Sequence, residues 1–341
     1  MVVYAIGRLL SKHIDWLTCL LIDFCTQSRI IHSYPAKIIM RTISEYLSDS
    51  SAILPTDGAK GTEFFSLVGS DPSEFLNETS PDAVRKVTKA YRDAGAIAVQ
   101  TNSFNGTEPR LKRHNPDIDS EKVYQLNLAA ARIAREVVGN QGYVLGSMGP
   151  TGEILDEFGG DYPRKDAVKA FATQAKALIT GGSDAINPET FISLGELEAA
   201  IEGIRSVSPD IPIIATLSFT NYKDTRGFNT EFGDSPVDLI TFADQRGLLA
   251  HGANCGIGLK NVERLMQQFK SKRPASVLMT KLNAGMPELR GTQVIYPEAT
   301  SEQILLYTDT VRNAGARIIG LCCGSNPKLI KVMTDRLTQP L

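Results

Sequence analysis

Three cysteines are the residues of this chain whose type and position could do metal chemistry. Cys322 and Cys323 are adjacent and are followed by Gly324, and Cys255 also directly precedes a glycine. Neighbouring side chains on a regular strand point to opposite faces, so two adjacent thiols can reach one partner only where the strand ends. The glycine gives the backbone the conformational freedom for such an ending.

Thiolates are soft ligands, and three of them converging on one point suit a zinc ion. Three protein ligands leave the fourth tetrahedral position open, and a site of that kind can hold a further thiol as a nucleophilic thiolate. The alternative is that each cysteine is a buried apolar side chain. His13, His32, His114 and His251 show no metal-binding spacing, and we expect them to be surface or structural residues.

Whether Cys255 can meet the cysteine pair depends on the fold. Short apolar segments alternate with helical stretches, and eight of them read as strands: 53–56, 96–101, 143–147, 185–189, 211–217, 250–255, 277–282 and 317–322. The sixth has the weakest pattern, because Gly252 and Asn254 dilute it. Eight strand–helix units predict an α/β protein, and they favour a single-domain (β/α)8 TIM barrel over a doubly wound sheet. A doubly wound sheet would want a G-x-G-x-x-G turn, which the segment 57–62 lacks.

Helix start signals separate these strands. Helices are predicted from Ser80-Pro81, from Ser120 to Val138, from Ser193 to Val207, from Ser235 to Leu249, from Ser301 to Gly315 and from Asn326-Pro327. In a barrel the carboxyl ends of the strands meet at one mouth. Cys255 on the sixth strand and the pair on the eighth would therefore converge there.

Composition limits the classes of partner. The net charge is −2 with no basic block, which argues against nucleic acid. The apolar run 16–25 is shorter than the roughly 20 residues that span a membrane, and Asp23 interrupts it. Five cysteines with a vicinal pair fit a reducing compartment, so we expect a cytoplasmic protein. We expect residues 1–39 to be an extension that contributes nothing to function, and residues 40–341 to form the barrel.

Beyond about residue 50 the chain carries a series of short polar and glycine-rich motifs. The motifs are D-G-A-K-G-T-E from Asp57, T-N-S-F from Thr101, G-S-M-G-P-T-G-E from Gly146, E-T-F from Glu189, N-C from Asn254, N-A-G-M-P from Asn283 and G-L-C-C-G-S from Gly320. In their order and spacing they resemble the motifs of the homocysteine S-methyltransferase family. Within that family they are most similar to the homocysteine-binding module of cobalamin-dependent methionine synthase.

The resemblance implies a barrel with zinc on Cys255, Cys322 and Cys323, where the sulfur of homocysteine completes the tetrahedron and is methylated to methionine. It also implies a set of acceptor-binding residues: Asp57, Gly58, Thr101, Asn102, Ser147, Glu189 and Asn283. Asp57 and Glu189 would bind the ammonium group, and Asn283 would lie near the metal as a displaceable ligand. The milder alternatives are a turn residue for Asp57 and a helix N-terminal acid for Glu189.

Three departures from the family pattern leave the acceptor thiol open. Leu321 stands where glycine is common, Leu282 stands where proline often precedes Asn-Ala-Gly, and Pro188 removes a ladder donor. The methyl donor is open too, because the sequence has no D-x-H-x-x-G cobalamin motif. We expect methylcobalamin on a separate corrinoid protein, or alternatively a small donor such as S-methylmethionine or a betaine. A third alternative is a non-catalytic subunit that keeps the zinc and thiol site.

Overall fold

Short buried strands alternate with helices along the chain. The structure is a computed structural model, and it describes residues 41–68, 71–222, 227–271, 276–291 and 293–341. The expectation for residues 1–39, and with it His13 and His32, lies outside the described residues.

The described strands are β1 (Leu54–Pro55), β2 (Ala98–Gln100), β3 (Tyr143–Met148), β4 (Ala185–Pro188), β5 (Ile214–Leu217), β6 (Thr220–Asn221), β7 (Phe228–Asn229), β8 (Ala250–Gly258), β9 (Val277–Asn283), β10 (Glu288–Arg290), β11 (Gln293–Ile295) and β12 (Ala316–Leu321). The described α-helices are α1 (Ile43–Ser48), α2 (Lys60–Val68), α3 (Leu76–Thr79), α4 (Pro81–Asp93), α5 (Glu108–Lys112), α6 (Ser120–Val138), α7 (Arg164–Thr180), α8 (Leu194–Val207), α9 (Pro236–Gln245), α10 (Val262–Lys270), α11 (Ser301–Asn313) and α12 (Pro327–Leu337).

Parallel pairing joins the strands that the sequence predicts. One sheet has the order β1-β12-β9-β8-β5 and another the order β2-β3-β4, while β6-β7 and β10-β11 are antiparallel pairs. Isolated parallel bridges join Thr56 to Ala98 and Ile186 to Ile213. Each of the eight predicted strands overlaps an observed one, and the predicted α/β class with parallel strands is confirmed.

Local capping explains where the helices begin and end. Helix α6 runs from Ser120 to Val138 as predicted, because the Asp119 carboxylate accepts a hydrogen bond from Lys122 N at 2.7 Å. The helix predicted to reach Leu249 is shorter in the structure, since α9 ends at Gln245. Gly247 takes a left-handed φ of 59°, which ends the helical path. Leu249 N then donates to Ile213 O at 3.0 Å and leads the chain into β8.

Buried apolar side chains between strands and helices hold the two strands that end near the cysteines. Tyr307 on α11 is fully buried, and its hydroxyl donates to Gly320 O at 2.9 Å and lies 3.1 Å from Thr280 O. The packing therefore fixes β9 beside β12, with their carboxyl ends at one edge.

A helix long and apolar enough to span a bilayer is not found among the described residues.

Candidate metal and acceptor site

The sulfurs of Cys255, Cys322 and Cys323 form one cluster. All three Sγ atoms lie within 4.8 Å of one another, and those of Cys255 and Cys323 are 3.7 Å apart. Two thiolates on a tetrahedral zinc with Zn–S bonds of about 2.3 Å would be separated by about 3.8 Å. The separation between Cys255 and Cys323 therefore matches that of two zinc ligands, and the remaining sulfur separations are within about 1 Å of the same value.

Backbone geometry brings adjacent cysteines to one point. Strand β12 ends at Leu321, directly before the pair, and Gly324 turns the chain with a φ of 77°. A Cβ at Gly324 would lie 2.8 Å from Gly285 N, so the close approach of these two loops also requires glycine. The strand ending that the sequence predicts is confirmed.

Cys255 reaches the cluster by a different route. The sequence places it at the end of a strand, but β8 continues to Gly258 and its register with β9 shifts after Asn254. Within this irregular stretch Cys255 has a φ of 52°, a region that non-glycine residues enter at a cost of about 1–3 kcal/mol. The bulge lets a thiol project from within a strand instead of from its end.

The first and last parallel strands are locked together beside the cluster. Ala59 N donates to Ser325 Oγ at 3.0 Å, and Tyr91 Oη donates to Ala59 O at 2.8 Å. A Cβ on Gly58 would lie 2.3 Å from Ser325 Oγ, so this predicted site residue serves as a point of close contact. The loop after β1 is thereby held against the loop that carries two of the thiols.

Hydrogen bonding within the cluster shifts the pKa values of its thiols in opposite directions. Hydrogen bonds from Cys255, Cys322 and Tyr296 lower the pKa of Cys323 well below its ordinary value. Hydrogen bonding with Cys322 and Cys323 raises the pKa of Cys255 well above its ordinary value. A cation placed among the three sulfurs would favour the thiolate form of all of them.

A cavity of about 190 Å³ opens beside the cluster, with all three cysteines in its wall. Ligand pockets for drug-sized molecules usually measure about 300–1,000 Å³, so this space suits a smaller molecule such as an amino acid. Several predicted acceptor-binding residues line it: Gly58, Thr101, Asn102, Ser147 and Glu189. Leu321 lines it as well, so this departure from the family pattern contributes to the shape of the cavity.

Asp57 is fully buried and lies between two lysines of this chain. Its Oδ2 accepts hydrogen bonds from Lys60 Nζ and from Gln100 N at 2.9 Å, and its Oδ1 accepts one from Lys281 Nζ at 3.0 Å. Burial acts to raise the pKa of this carboxyl, but Lys281 and Lys60 outweigh burial and hold it below the ordinary value. Asp57 is therefore an ion-pair centre below the cavity.

Glu189 presents a second carboxyl group. Its Oε1 accepts a hydrogen bond from Ser147 Oγ and its Oε2 accepts one from Asn254 Nδ2 at 3.2 Å. Burial raises the pKa of Glu189, and Lys281 acts in the opposite direction. Both hydrogen-bond partners of Glu189 are neutral, so the two lysines act on this carboxyl through their charge without a direct hydrogen bond among the described residues.

The remaining predicted residues differ in whether the polar atoms of their side chains have hydrogen-bond partners. Asn102 exchanges hydrogen bonds with Ser73 and Asn77, and Thr101 Oγ1 accepts one from Ser147 N at 2.9 Å. Both residues thus hold loops in place. Asn283 is different, because its buried Oδ1 lacks a hydrogen-bond partner among the described residues. An unpaired amide oxygen is a group that suits a displaceable metal ligand, and the amide of the next residue, Ala284 N, donates to Cys323 O at 3.0 Å.

Much of the cavity wall lies outside the set of site residues predicted from the sequence, and four polar residues of that part bear on the chemistry of the cavity. Gln100, Tyr296, Lys60 and Lys281 all line it, and both lysines are buried. A signal for Lys281 was present, since a lysine inside an apolar strand segment is rarely buried unless it is paired.

Neither of the two described histidines belongs to the cysteine cluster. His251 is buried at the start of β8, where Nδ1 lies 2.8 Å from Ser276 Oγ, and burial lowers its pKa to about 4. His114 is partly exposed, 3.9 Å from Asp71. Both positions agree with the prediction of structural or surface histidines.

The chain is similar in sequence to a described protein family and to two methionine synthases. The family model described as homocysteine S-methyltransferase matches residues 54–337. A methionine synthase of Mycobacterium tuberculosis (strain ATCC 25618 / H37Rv) is 30% identical over 305 residues, which cover 83% of this chain and 24% of that protein. A methionine synthase of Mycobacterium leprae (strain TN) is 30% identical over 302 residues, with 82% and 24% covered. The chain thus spans about a quarter of the length of these relatives.

Among solved structures, the metallated form of the homocysteine methyltransferase MmuM from Escherichia coli superposes with a TM-score of 0.67. Its sequence is 24% identical, and the match covers 85% of this chain and 98% of that one. At this identity the likeness concerns the fold alone.

Proposed function

The chain belongs to the homocysteine S-methyltransferase family, and on that premise we propose that it methylates the sulfur of homocysteine to give methionine. The observation that carries the proposal is the cluster of three cysteine sulfurs in the wall of an amino-acid-sized cavity. Methionine synthase relatives at 30% identity support the same acceptor. We include in the proposal that residues 40–341 form the functional unit and that it works in the cytoplasm.

The scaffold in this proposal is a closed (β/α)8 barrel. The two isolated bridges support closure, because Thr56–Ala98 links the first sheet to the second and Ile186–Ile213 links them again at the other edge. With these links each of the eight parallel strands has a parallel neighbour on both sides. A barrel would place every strand's carboxyl end at the mouth that holds the cysteines.

The metal in this proposal is zinc on Cys255, Cys322 and Cys323. The 3.7 Å sulfur separation and the unpaired Oδ1 of Asn283 support it, as both match what a tetrahedral site with one exchangeable position needs. When bound there, zinc would lower the pKa of the acceptor thiol so that it reacts as a thiolate at neutral pH.

The protein's own part is to bind and orient the acceptor. Glu189 is proposed to take the ammonium group, because its two oxygens face neutral donors and lie in the cavity wall. Leu321 and the cysteine thiols then form the walls of the space for the acceptor's sulfur. Transfer by in-line attack needs this positioning and no general base, since the thiol has already lost its proton.

We propose a corrinoid protein as the methyl donor. Large apolar side chains are exposed in segments that follow the carboxyl ends of the parallel strands, which favours a macromolecular partner on that face. They are Phe65, Ile154, Phe158, Phe232, Met286 and Leu289. A small sulfonium or ammonium donor remains the second candidate, since the cavity would admit one.

A reconstitution assay tests this proposal. Zinc-loaded protein is incubated with homocysteine and either methylcobalamin or S-methylmethionine, and methionine is measured by mass spectrometry. Methionine formation from methylcobalamin supports the corrinoid donor, and formation only from S-methylmethionine supports the small donor. Transfer from neither donor, with zinc bound and homocysteine retained, would leave a non-catalytic thiol-binding module.

A further inference from the structure

Two buried lysines, Lys60 and Lys281, occupy the place where the family resemblance expects a substrate ammonium group. Each oxygen of the Asp57 carboxylate accepts a hydrogen bond from one of them. An incoming ammonium group would have to displace a buried, paired lysine to reach Asp57, and breaking a buried ion pair is costly. Asp57 is therefore already used by the protein itself.

The same two lysines have donors to spare. An ammonium group has three N–H donors. Within the described residues, Lys281 Nζ donates to Asp57 and Gln100, and Lys60 Nζ donates to Asp57 alone. Lys60 and Lys281 are only 7% and 1% exposed, so water reaches these free donors poorly. Buried charged donors of this kind need an acceptor.

Both lysines line the cavity that holds the thiols. Lys281 pairs in register with Gly320, two residues before Cys322, and two residues advance a strand by about 7 Å. The backbone of Lys281 thus lies deeper along the strands than that of Cys322, and both lysines line the same small cavity as the three sulfurs. A ligand with a carboxylate about four bonds from its thiol could contact both groups.

From this arrangement we propose that Lys60 and Lys281 bind the carboxylate of the acceptor, and that the cavity selects its acceptor by this carboxylate more than by its ammonium group. The inference rests on the proposed function, in which the cavity holds the acceptor thiol at the cysteines. Glu189 takes the ammonium group where the acceptor has one, and Asp57 keeps the two lysines in place.

Three thiols of matched length test the contributions of the carboxylate and the ammonium group to binding one at a time. Homocysteine carries both, 4-mercaptobutanoate lacks the ammonium group, and 3-mercaptopropylamine lacks the carboxylate. Dissociation constants are measured by calorimetry on zinc-loaded full-length protein. Sulfur binding is followed separately on cobalt-substituted protein by the sulfur-to-cobalt charge-transfer band that the added thiol contributes beyond the absorption of the three cysteine thiolates.

We expect 4-mercaptobutanoate to bind about 10–100-fold more tightly than 3-mercaptopropylamine, the range for hydrogen bonds to charged groups. Lys281→Met should reduce this ratio at least tenfold, and Lys60→Met should reduce it in the same direction if Lys281→Met does not fold. Lys331→Met, an exposed lysine on α12, is the matched control and should leave the ratio unchanged.

Because the ratio compares two ligands on one sample, it does not depend on the fraction of protein that is active. A ratio near one in the wild type, with both thiols giving the charge-transfer band, overturns the lysine assignment and leaves the proposed function standing. A ratio that survives both lysine substitutions also overturns it. Absence of the band with all three thiols overturns the proposed function, and the inference falls with it.

Discussion

Asn254 connects the backbone of the site to the carboxyl group that faces the acceptor, and replacing it with alanine should affect both. Its Oδ1 accepts hydrogen bonds from Thr190 N at 2.8 Å and Thr216 Oγ1 at 2.7 Å, and its Nδ2 donates to Glu189 at 3.2 Å and to Thr190 Oγ1 at 2.6 Å. Asn254 is 1% exposed, so water cannot replace it without rearrangement.

The size of the effect follows from the groups that lose a partner. A buried Thr190 amide without an acceptor costs about 1–3 kcal/mol, and a hydrogen bond to a charged group such as Glu189 is worth about 1.5–3 kcal/mol. Asn254→Ala should therefore lower the free energy of unfolding by roughly 2.5–6 kcal/mol. Thr190 also has a strained φ of 62°, and without Asn254 it is free to relax and release Glu189.

Urea denaturation measures the first effect, and calorimetric titration of homocysteine into zinc-loaded protein measures the second. We expect the dissociation constant to rise about 10–100-fold, because Glu189 loses its orientation. Asn127→Ala is the matched control, since Asn127 is equally buried and bonds to Gly106 O, Val123 O and Gln174. It should lose stability and keep its affinity. Equal affinity losses in both variants would refute the role given to Glu189.

Three further predictions concern the thiols, a buried histidine and the amino-terminal residues. Cys255→Ala or Cys323→Ala should lose zinc and activity yet keep the circular dichroism of the folded protein, and full zinc retention by plasma emission spectrometry would refute three-thiolate binding. The pKa of His251 is about 4 when folded and 6.5 when unfolded, so this residue's stabilisation is complete above pH 6.5 and is lost as the pH falls towards 4. Between pH 6.5 and 5 the free energy of unfolding should fall by about 2 kcal/mol because of His251. In urea denaturation at a series of pH values, His251→Asn should show a correspondingly smaller fall than the wild type. Equal falls in both proteins would contradict the assignment. Removing the residues before Met40 should leave stability and methyl transfer unchanged, and loss of soluble protein would show that they are structural.

Regular elements were predictable because their signals are local. The run from Ser120 to Val138 has its cap, its apolar spacing and its terminal glycine within one segment, and the helix has those bounds. The cysteine pair was predictable for the same reason, since Gly324 shows directly in the sequence where the strand must end. The family resemblance is confirmed by the match over residues 54–337, which rests on many short motifs together.

Contacts between distant segments were not predictable in this way. The bulge at Cys255 depends on the register between β8 and β9, which no residue spacing states. The pairing of Asp57 with Lys281 joins the segment after the first strand to a much later strand. Asp57 alone fits a turn, and Lys281 within its apolar strand indicates a buried pair without indicating which residue is the partner. The roles of Asp57 and Glu189 differ because of these partners and not because of their own motifs.

Zinc-edge X-ray absorption with and without homocysteine tests the central claim most directly, because it counts the sulfurs around the metal. We expect three sulfurs and one lighter ligand in the resting protein, and four sulfurs at about 2.3 Å once homocysteine is added. Fewer than three sulfurs at rest, or no added sulfur with homocysteine present, would contradict it.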